Sequence, residues 1–331
     1  MIMNKKSILM QAGLLMGLTL SLTSCDDILG EWDRPTPQTP AVEPSVTYYA
    51  WDSESGSLKP KTITGGITNI TETTTTWSGV CVVDKDVTIT GDVTMADDVE
   101  LIIADGAKLI VSGKVVGASN GLKLYGQEAK SGQFVVDNSA AAGKAIEVKG
   151  LEIAGLKVNV TAPTAASDYA IFAQGKSVIY DGSVTTAGGH AIYVDGNDLE
   201  IYGGTHDLTS NAQSLSAKKI TFAGGTINVT GSATGGTSPI ADANVEIKTT
   251  IEKLTIINSN GVTSNKIESR ISVPDTKNIT FGTNAAIGGD TWKTYTIYDN
   301  TSTVSGGTYT GFTITRGTGD PGTKTLTITA P

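Results

Sequence analysis

The chain has 331 residues, of which 39 are glycine, 17% are charged and 6% are aromatic, and its formal net charge is −9. That sign, with no basic cluster to offset it, disfavours a nucleic-acid partner. Two cysteines are too few for a disulfide framework, while the length is ample for a sizeable core.

Residues 1–24 have the organisation of an export signal. Lys5 and Lys6 precede an uncharged apolar run from Ile8 to Leu22 that is too short to span a bilayer as a helix. The run ends at Leu22-Thr23-Ser24-Cys25, which resembles a bacterial lipobox. The resemblance implies cleavage before Cys25, acylation of its thiol, and attachment to a membrane through the lipid. Each buried methylene contributes about 0.8 kcal/mol, so several acyl chains anchor durably. Asp26-Asp27 partly resembles the acidic tag of surface lipoproteins of Bacteroidota, and Ile28 departs from a longer acidic run. It implies an outer-membrane location at the cell surface, with the periplasmic face as the alternative.

Residues 25–45 form a tether. Pro35, Pro37, Pro40 and Pro44 are spaced too closely for a helix or a central strand, which predicts a semi-extended spacer. Loss of the signal removes two lysines and no acid, so the exported chain is more acidic still. With Cys25 acylated, Cys81 stands alone among Val80, Val82 and Val83, the setting of a buried, inert thiol.

From about Ser45 onward Thr, Val, Ile, Gly and Asn dominate and no helical periodicity lasts beyond a turn or two, an all-β composition. Segment 46–79 fits no repeat and is expected to form an N-terminal cap or edge; Trp51, Tyr48 and Tyr49 are assigned to packing there. Short alternating strands then begin at Val87-Thr88-Ile89-Thr90, Val99-Glu100-Leu101-Ile102-Ile103 and Leu109-Ile110-Val111, separated by polar or glycine turns.

The strongest signal is an ungapped match at a step of 21 residues: AIFAQGKSVIYDGSV from Ala170 falls on AIYVDGNDLEIYGGT from Ala191, and KITFAGGTINV from Lys219 continues it. Read without gaps, the columns are Ala170/Ala191/Ala212, Ala173/Val194/Leu215, Val178/Leu199/Ile220, Tyr180/Ile201/Phe222 and Gly182/Gly203/Gly224. A fixed period of this kind means stacked coils. Alternation turns Ile146, Ile171 and Ile192, with Val148, Ala173 and Val194, inward, and Glu147, Phe172 and Tyr193, then Lys149, Gln174 and Asp195, outward. At a strand spacing of about 4.8 Å, residues 80–331 predict on the order of ten coils in a rod about 50 Å long, with irregular coils or a cap from about Asn258. A separate small β-sandwich is the weaker reading of that end, and Trp292, Tyr295 and Tyr298 are assigned to packing in it.

The turns Gly203-Gly204-Thr205 and Gly224-Gly225-Thr226, the second leading into Ile227-Asn228-Val229, resemble those of pectin-lyase-like right-handed parallel β-helix proteins, in particular the carbohydrate-binding β-helix lipoproteins of Bacteroidota. The resemblance covers roughly residues 80–260. It implies a right-handed single-stranded parallel β-helix, in agreement with the preferred hand of parallel crossovers, and it implies glycan binding.

Catalysis finds little support in the columns. A polysaccharide lyase needs calcium held by clustered carboxylates and a basic residue to remove a proton. The ungapped columns are Gln174/Asp195/Ser216, Asp181/Tyr202/Ala223 and Ser177/Asp198/Lys219, and no column holds two acids. His206, read in the column Thr185/His206/Ile227, is expected inside, and His190 lies in a glycine turn. Sugars bind through aromatic faces with polar edges, which makes Phe172 and Tyr193, flanked in their column by Glu147 and Ser214, together with Asp195, the candidate ligand site. The expectation is therefore a lipid-anchored surface β-helix that binds a polysaccharide or surface glycan, or acts as an adhesin, without turnover. The alternatives are a calcium-dependent lyase of acidic polysaccharides and a structural subunit of a surface assembly. No organic cofactor is implied, and calcium is the one ion the acidic balance leaves open.

Overall fold

The computed structural model describes residues 43–231 in full and, beyond them, strand backbones with a few side chains such as Ile240, Val245 and Leu254. Residues 1–42, with Cys25 and most of the tether, lie outside the described residues, as do the side chains of Trp292, Tyr295 and Tyr298.

Every regular element described is a strand. The first two, β1 (Ser45–Asp52) and β2 (Ser57–Thr64), form an antiparallel hairpin. After a short β3 (Ile67–Asn69) the chain winds into parallel coils with three sides. In the early coils one long strand bends to make two of these sides: β4 (Thr76–Val83), β6 (Val93–Ile103), β8 (Val115–Tyr125) and β10 (Lys144–Ala154) stack in parallel. In later coils the halves separate. Strands β12 (Tyr169–Ala173), β15 (His190–Val194), β18 (Leu215–Ser216) and β21 (Ile240–Ala241) continue the first side. Strands β13 (Ser177–Ile179), β16 (Asp198–Ile201), β19 (Lys219–Phe222) and β22 (Asn244–Ile247) continue the second.

The third side carries β5 (Val87–Thr90), β7 (Lys108–Ser112), β9 (Gln133–Asp137), β11 (Leu156–Thr161), β14 (Gly182–Ala187), β17 (Thr205–Ser210), β20 (Gly225–Gly231) and β23 (Ile251–Asn258). The result is a parallel β-solenoid of about 7 turns. That is fewer than the repeat length suggests, because strands Trp292–Tyr298 and Lys324–Thr329 pair antiparallel with their neighbours in place of adding coils.

Alternation builds the core. On the third side Val87, Leu109, Phe134, Val158, Val184, His206, Ile227 and Leu254 stand one upon another and are all buried. On the first side Ile146, Ile171 and Ile192 do the same beside Val148, Ala173 and Val194, as alternation requires. Trp77 is fully buried in the first coil, with Phe134 at a centroid distance of 6.2 Å, and its indole N–H donates to the Thr74 carbonyl at 3.1 Å. The corner between the second and third sides is turned by glycine. Gly182 and Gly204 have φ of 108° and 95°, and a Cβ on either would stand 2.3 Å from a backbone oxygen of the preceding coil.

The register departs from the ungapped reading after the first side. Ile171 pairs with Ile192, a step of 21, but Ser177 pairs with Leu199 and Ile179 with Ile201, a step of 22. Four residues, Asp195-Gly196-Asn197-Asp198, separate Val194 from Leu199 where three separate Ala173 from Ser177, and on a strand a one-residue slip exchanges the faces. Val178 therefore points outward and Ser177 is buried. The columns become Ile179/Ile201/Phe222, Val184/His206/Ile227 and Gly182/Gly204/Gly225. A second shift sets Leu215 on Ile192, and Ser216 on Tyr193.

Segment 46–79 supplies two things: the first coil strands and a hairpin laid along the outer face of the second side. That face carries the column Val82, Ile102, Tyr125, Ala154, Tyr180 and Tyr202. Tyr48 and Ala50 pack on Val82, Ile102, Tyr125 and Ala154 in a small second core. A two-stranded hairpin is marginal by itself, so this burial is what holds it in place. The Tyr49 N–H donates to the Gly126 carbonyl at 3.0 Å, and the Gln127 side-chain amide donates to the Thr47 carbonyl at 2.9 Å.

Candidate functional site

Three of the four predicted ligand residues come together. Glu147, Phe172 and Tyr193 occupy one outward column on β10, β12 and β15. Phe172 and Tyr193 stack with 3° between their planes and centroids 5.4 Å apart, and Tyr169 meets each edge-on. The Lys144 ammonium lies 3.6 Å from the Phe172 ring centroid and 2.6 Å from a Glu147 oxygen. The coils on either side of Phe172 thus each contribute a group to its ring. This ladder satisfies itself along the stack and offers a ligand ring edges in place of broad faces. Asp195 sits in the exposed turn two residues beyond Tyr193 and joins neither ring.

The histidines are structural. His206 is fully buried; its Nδ1 accepts the Val184 N–H at 3.2 Å and its Nε2 donates to the Gly203 carbonyl at 2.7 Å. Burial pushes its pKa below the ordinary histidine value, against the weaker opposite pull of the Gly203 hydrogen bond and of Asp181 and Asp207. His190 is buried against Tyr169, with centroids 4.6 Å apart, and its ring nitrogens face the Gln213 and Ala166 carbonyls. Cys81 is fully buried, and that burial raises its pKa, as for an unreactive thiol. Among the described residues no three His, Cys, Asp or Glu side chains are placed to hold a metal.

A cleft lies where the long strands bend between the first and second sides. It has a volume of 380 Å³. Its floor is Gly121, Gly150 and Gly175, and its walls carry Lys123, Lys149, Lys176, Asp98 and Glu152. Glycine is required here by close packing of successive turns: a Cβ on Gly175 would meet the Lys149 carbonyl oxygen at 2.7 Å, and one on Gly150 the Lys176 oxygen at 3.1 Å. Side chains at these positions would also fill the groove. The cleft crosses four consecutive coils, a length of about 15 Å at the parallel-strand spacing.

Beside the cleft runs an outward column that the ungapped reading missed: Glu100, Lys123, Glu152, Val178, Glu200 and Thr221. The backbone register continues through Thr221 to Glu246. Among the described side chains three acids do share this column, but each is separated from the next by Lys123 or Val178. Each is also engaged. Lys123 bonds Glu100 at 2.9 Å, the Tyr125 hydroxyl donates to Glu152 at 3.0 Å, and Glu200 takes Lys176 at 2.8 Å and the Tyr202 hydroxyl at 3.1 Å. The hydrogen bonds to Glu100 and Glu200 raise the pKa of Lys123 and Lys176, so both ammonium groups stay charged. Burial, reinforced by Glu152, raises that of Tyr125, which stays a donor. The groove therefore sets lysine donors and carboxylate acceptors beside a strip of glycines and the apolar Leu122, Leu151 and Val178.

Comparison with known proteins gives no match: no family model fits the chain, and no curated protein or solved structure matches it.

Proposed function

We propose that this protein binds glycans without turning them over, and that the ligand lies in the glycine-floored groove. The groove carries the reading because three lysines and two carboxylates line it across four coils, the mixture of donors and acceptors that sugar hydroxyls need. The site thereby moves from the Phe172 and Tyr193 ladder, whose rings are engaged with one another, to Lys149, Glu152 and their neighbours. The lipobox-like Leu22-Thr23-Ser24-Cys25 and the proline-rich tether support display of the solenoid from an outer membrane, in the manner of the Bacteroidota glycan-binding lipoproteins it resembles. Binding is favoured over lyase chemistry by the interleaving of Glu100, Glu152 and Glu200 with Lys123 and Val178.

The test is a glycan array probed with the full chain and with the double variant Lys149→Ala, Glu152→Ala. The expected result is a defined set of retained glycans that the variant no longer holds. Equal retention by the variant removes the groove as the site, and no retention on any glycan contradicts the function.

A further inference from the structure

The outer face next to the groove ends in an aromatic corner. Trp51, carried by β1, lies flat on Tyr180 with ring centroids 4.8 Å apart and 9° between planes, and it meets Tyr202 at 5.3 Å and 41°. Tyr180 and Tyr202 are successive members of one column, 5.5 Å apart. In the next coil that column holds Ala223, a methyl where the two coils before it carry rings. Tyr202 is 38% exposed, more than any other large hydrophobic side chain among the described residues. Its ring is fixed on one side by Trp51 and Tyr180, and its hydroxyl is fixed by Glu200, which Lys176 of the groove wall also holds.

We infer that the exposed ring of Tyr202, held in place by Trp51 and Tyr180, forms a stacking subsite for a neutral, β-linked pyranose, continuing the groove along the same face. The inference rests on the glycan-binding reading and adds the ligand class. A pyranose with equatorial substituents presents a face of axial C–H groups, and a rigid exposed aromatic ring is its natural partner. Its equatorial hydroxyls then lie at the ring's edge, beside the Glu200 and Lys176 pair. The neighbouring charges are balanced: Lys176 pairs with Glu200 and Lys130 with Asp181. No surplus cation among the described residues faces the corner to select a uronate or a sulfated sugar, so a neutral unit is the better fit.

A purely mechanical role, fastening the hairpin, would need the apolar bulk at Tyr202 but no aromatic face. Calorimetric titration of the full chain with chitohexaose, cellohexaose, laminarihexaose and xylohexaose, and with polygalacturonate as the anionic contrast, separates the two. The expected result is that at least one neutral hexasaccharide binds. Tyr202→Leu should weaken that binding by about tenfold or more, and Tyr202→Trp should hold it within about threefold, with β6, β8 and β10 keeping their hydrogen-exchange protection in both variants. If a hexasaccharide binds and Tyr202→Leu leaves its affinity within about twofold while Lys149→Ala, Glu152→Ala abolishes it, the subsite is overturned and the groove stands. If only polygalacturonate binds, the neutral-sugar assignment is overturned and the glycan reading stands. If nothing binds, both fall.

Discussion

Trp51 and Tyr180 stack face to face, 4.8 Å between centroids, although one belongs to the N-terminal hairpin and the other to a coil far along the chain. The contact pins the hairpin to the solenoid at the end of β1, and Tyr48 and Ala50 pin it nearer the middle. Trp51→Ala should release the end of the hairpin at a cost of about 1–2 kcal/mol, less than for a fully buried tryptophan. Hydrogen exchange should show faster exchange in 45–64 and unchanged protection in β6, β8 and β10. Uniform loss of protection would mean that the hairpin and the coils unfold as one unit.

His206 gives the fold a pH dependence of definite sign. Its Nδ1 must accept the Val184 N–H, which only the neutral ring can do, and burial lowers its pKa. A group whose folded pKa lies below its unfolded value of about 6.5 contributes fully above that value and loses the contribution as pH falls below it. The urea midpoint should therefore decline from about pH 7.5 to about pH 5, and His206→Asn should flatten that decline while lowering the midpoint throughout. Asp105 and Asp137, whose pKa values are lowered, act only in the more acid carboxylate range. An unaltered slope in His206→Asn would contradict this assignment.

The corner glycines admit no side chain. Gly204→Ala combines a φ of 95° with a Cβ placed 2.3 Å from the Gly182 oxygen, and so should cost at least about 2 kcal/mol. Gly196→Ala also has positive φ but faces open space, so only the backbone strain of about 1 kcal/mol applies. The difference between the two melting temperatures measures the close approach of the coils, and equal losses would show that the coils approach less closely at this corner.

Asp105 staples the turn that receives the hairpin. Its carboxylate accepts N–H groups from Ala129 at 2.8 Å and Ser131 at 3.0 Å, and the Ser131 hydroxyl at 3.1 Å. Slight burial works to raise its pKa, and these hydrogen bonds outweigh it and hold the carboxyl below the usual range. Asp105→Ala should cost about 1–2 kcal/mol and speed proteolysis within 126–132. Cleavage at the wild-type rate would show that the turn is held by other contacts.

Much of this architecture is legible in the chain. The inward set Ile146, Ile171 and Ile192 and the outward set Glu147, Phe172 and Tyr193 come from alternation, and the step from Ile171 to Ile192 is the 21 residues of the repeat. The second side is not legible in the same way, because one additional residue before Leu199 shifts every later pair between that coil and the one before it, while the following coil keeps the 21-residue step from Leu199 to Ile220 and from His206 to Ile227. Val178 and Leu199 are both apolar, so the slipped match satisfies the pattern, and it hides the column of Tyr180 and Tyr202. The dipeptides Ile179-Tyr180 and Ile201-Tyr202, with Gly182 and Gly204 two residues beyond them, carry the correct step of 22. The groove and the aromatic corner depend on bends and on a hairpin folding back from residues 45–64. No local period records such long-range placement. Nor does spacing reveal that Phe172 spends its ring on Tyr193 and Lys144.

Binding at the groove without turnover is decided by electrophoresis of the full chain through gels containing a retained polysaccharide, with reducing ends and unsaturated uronates assayed on the same material. The expected outcome is retarded migration, no new reducing ends or unsaturated products with or without added calcium, and normal migration of Lys149→Ala, Glu152→Ala. Product formation, or retardation that the double variant shares in full, would contradict it.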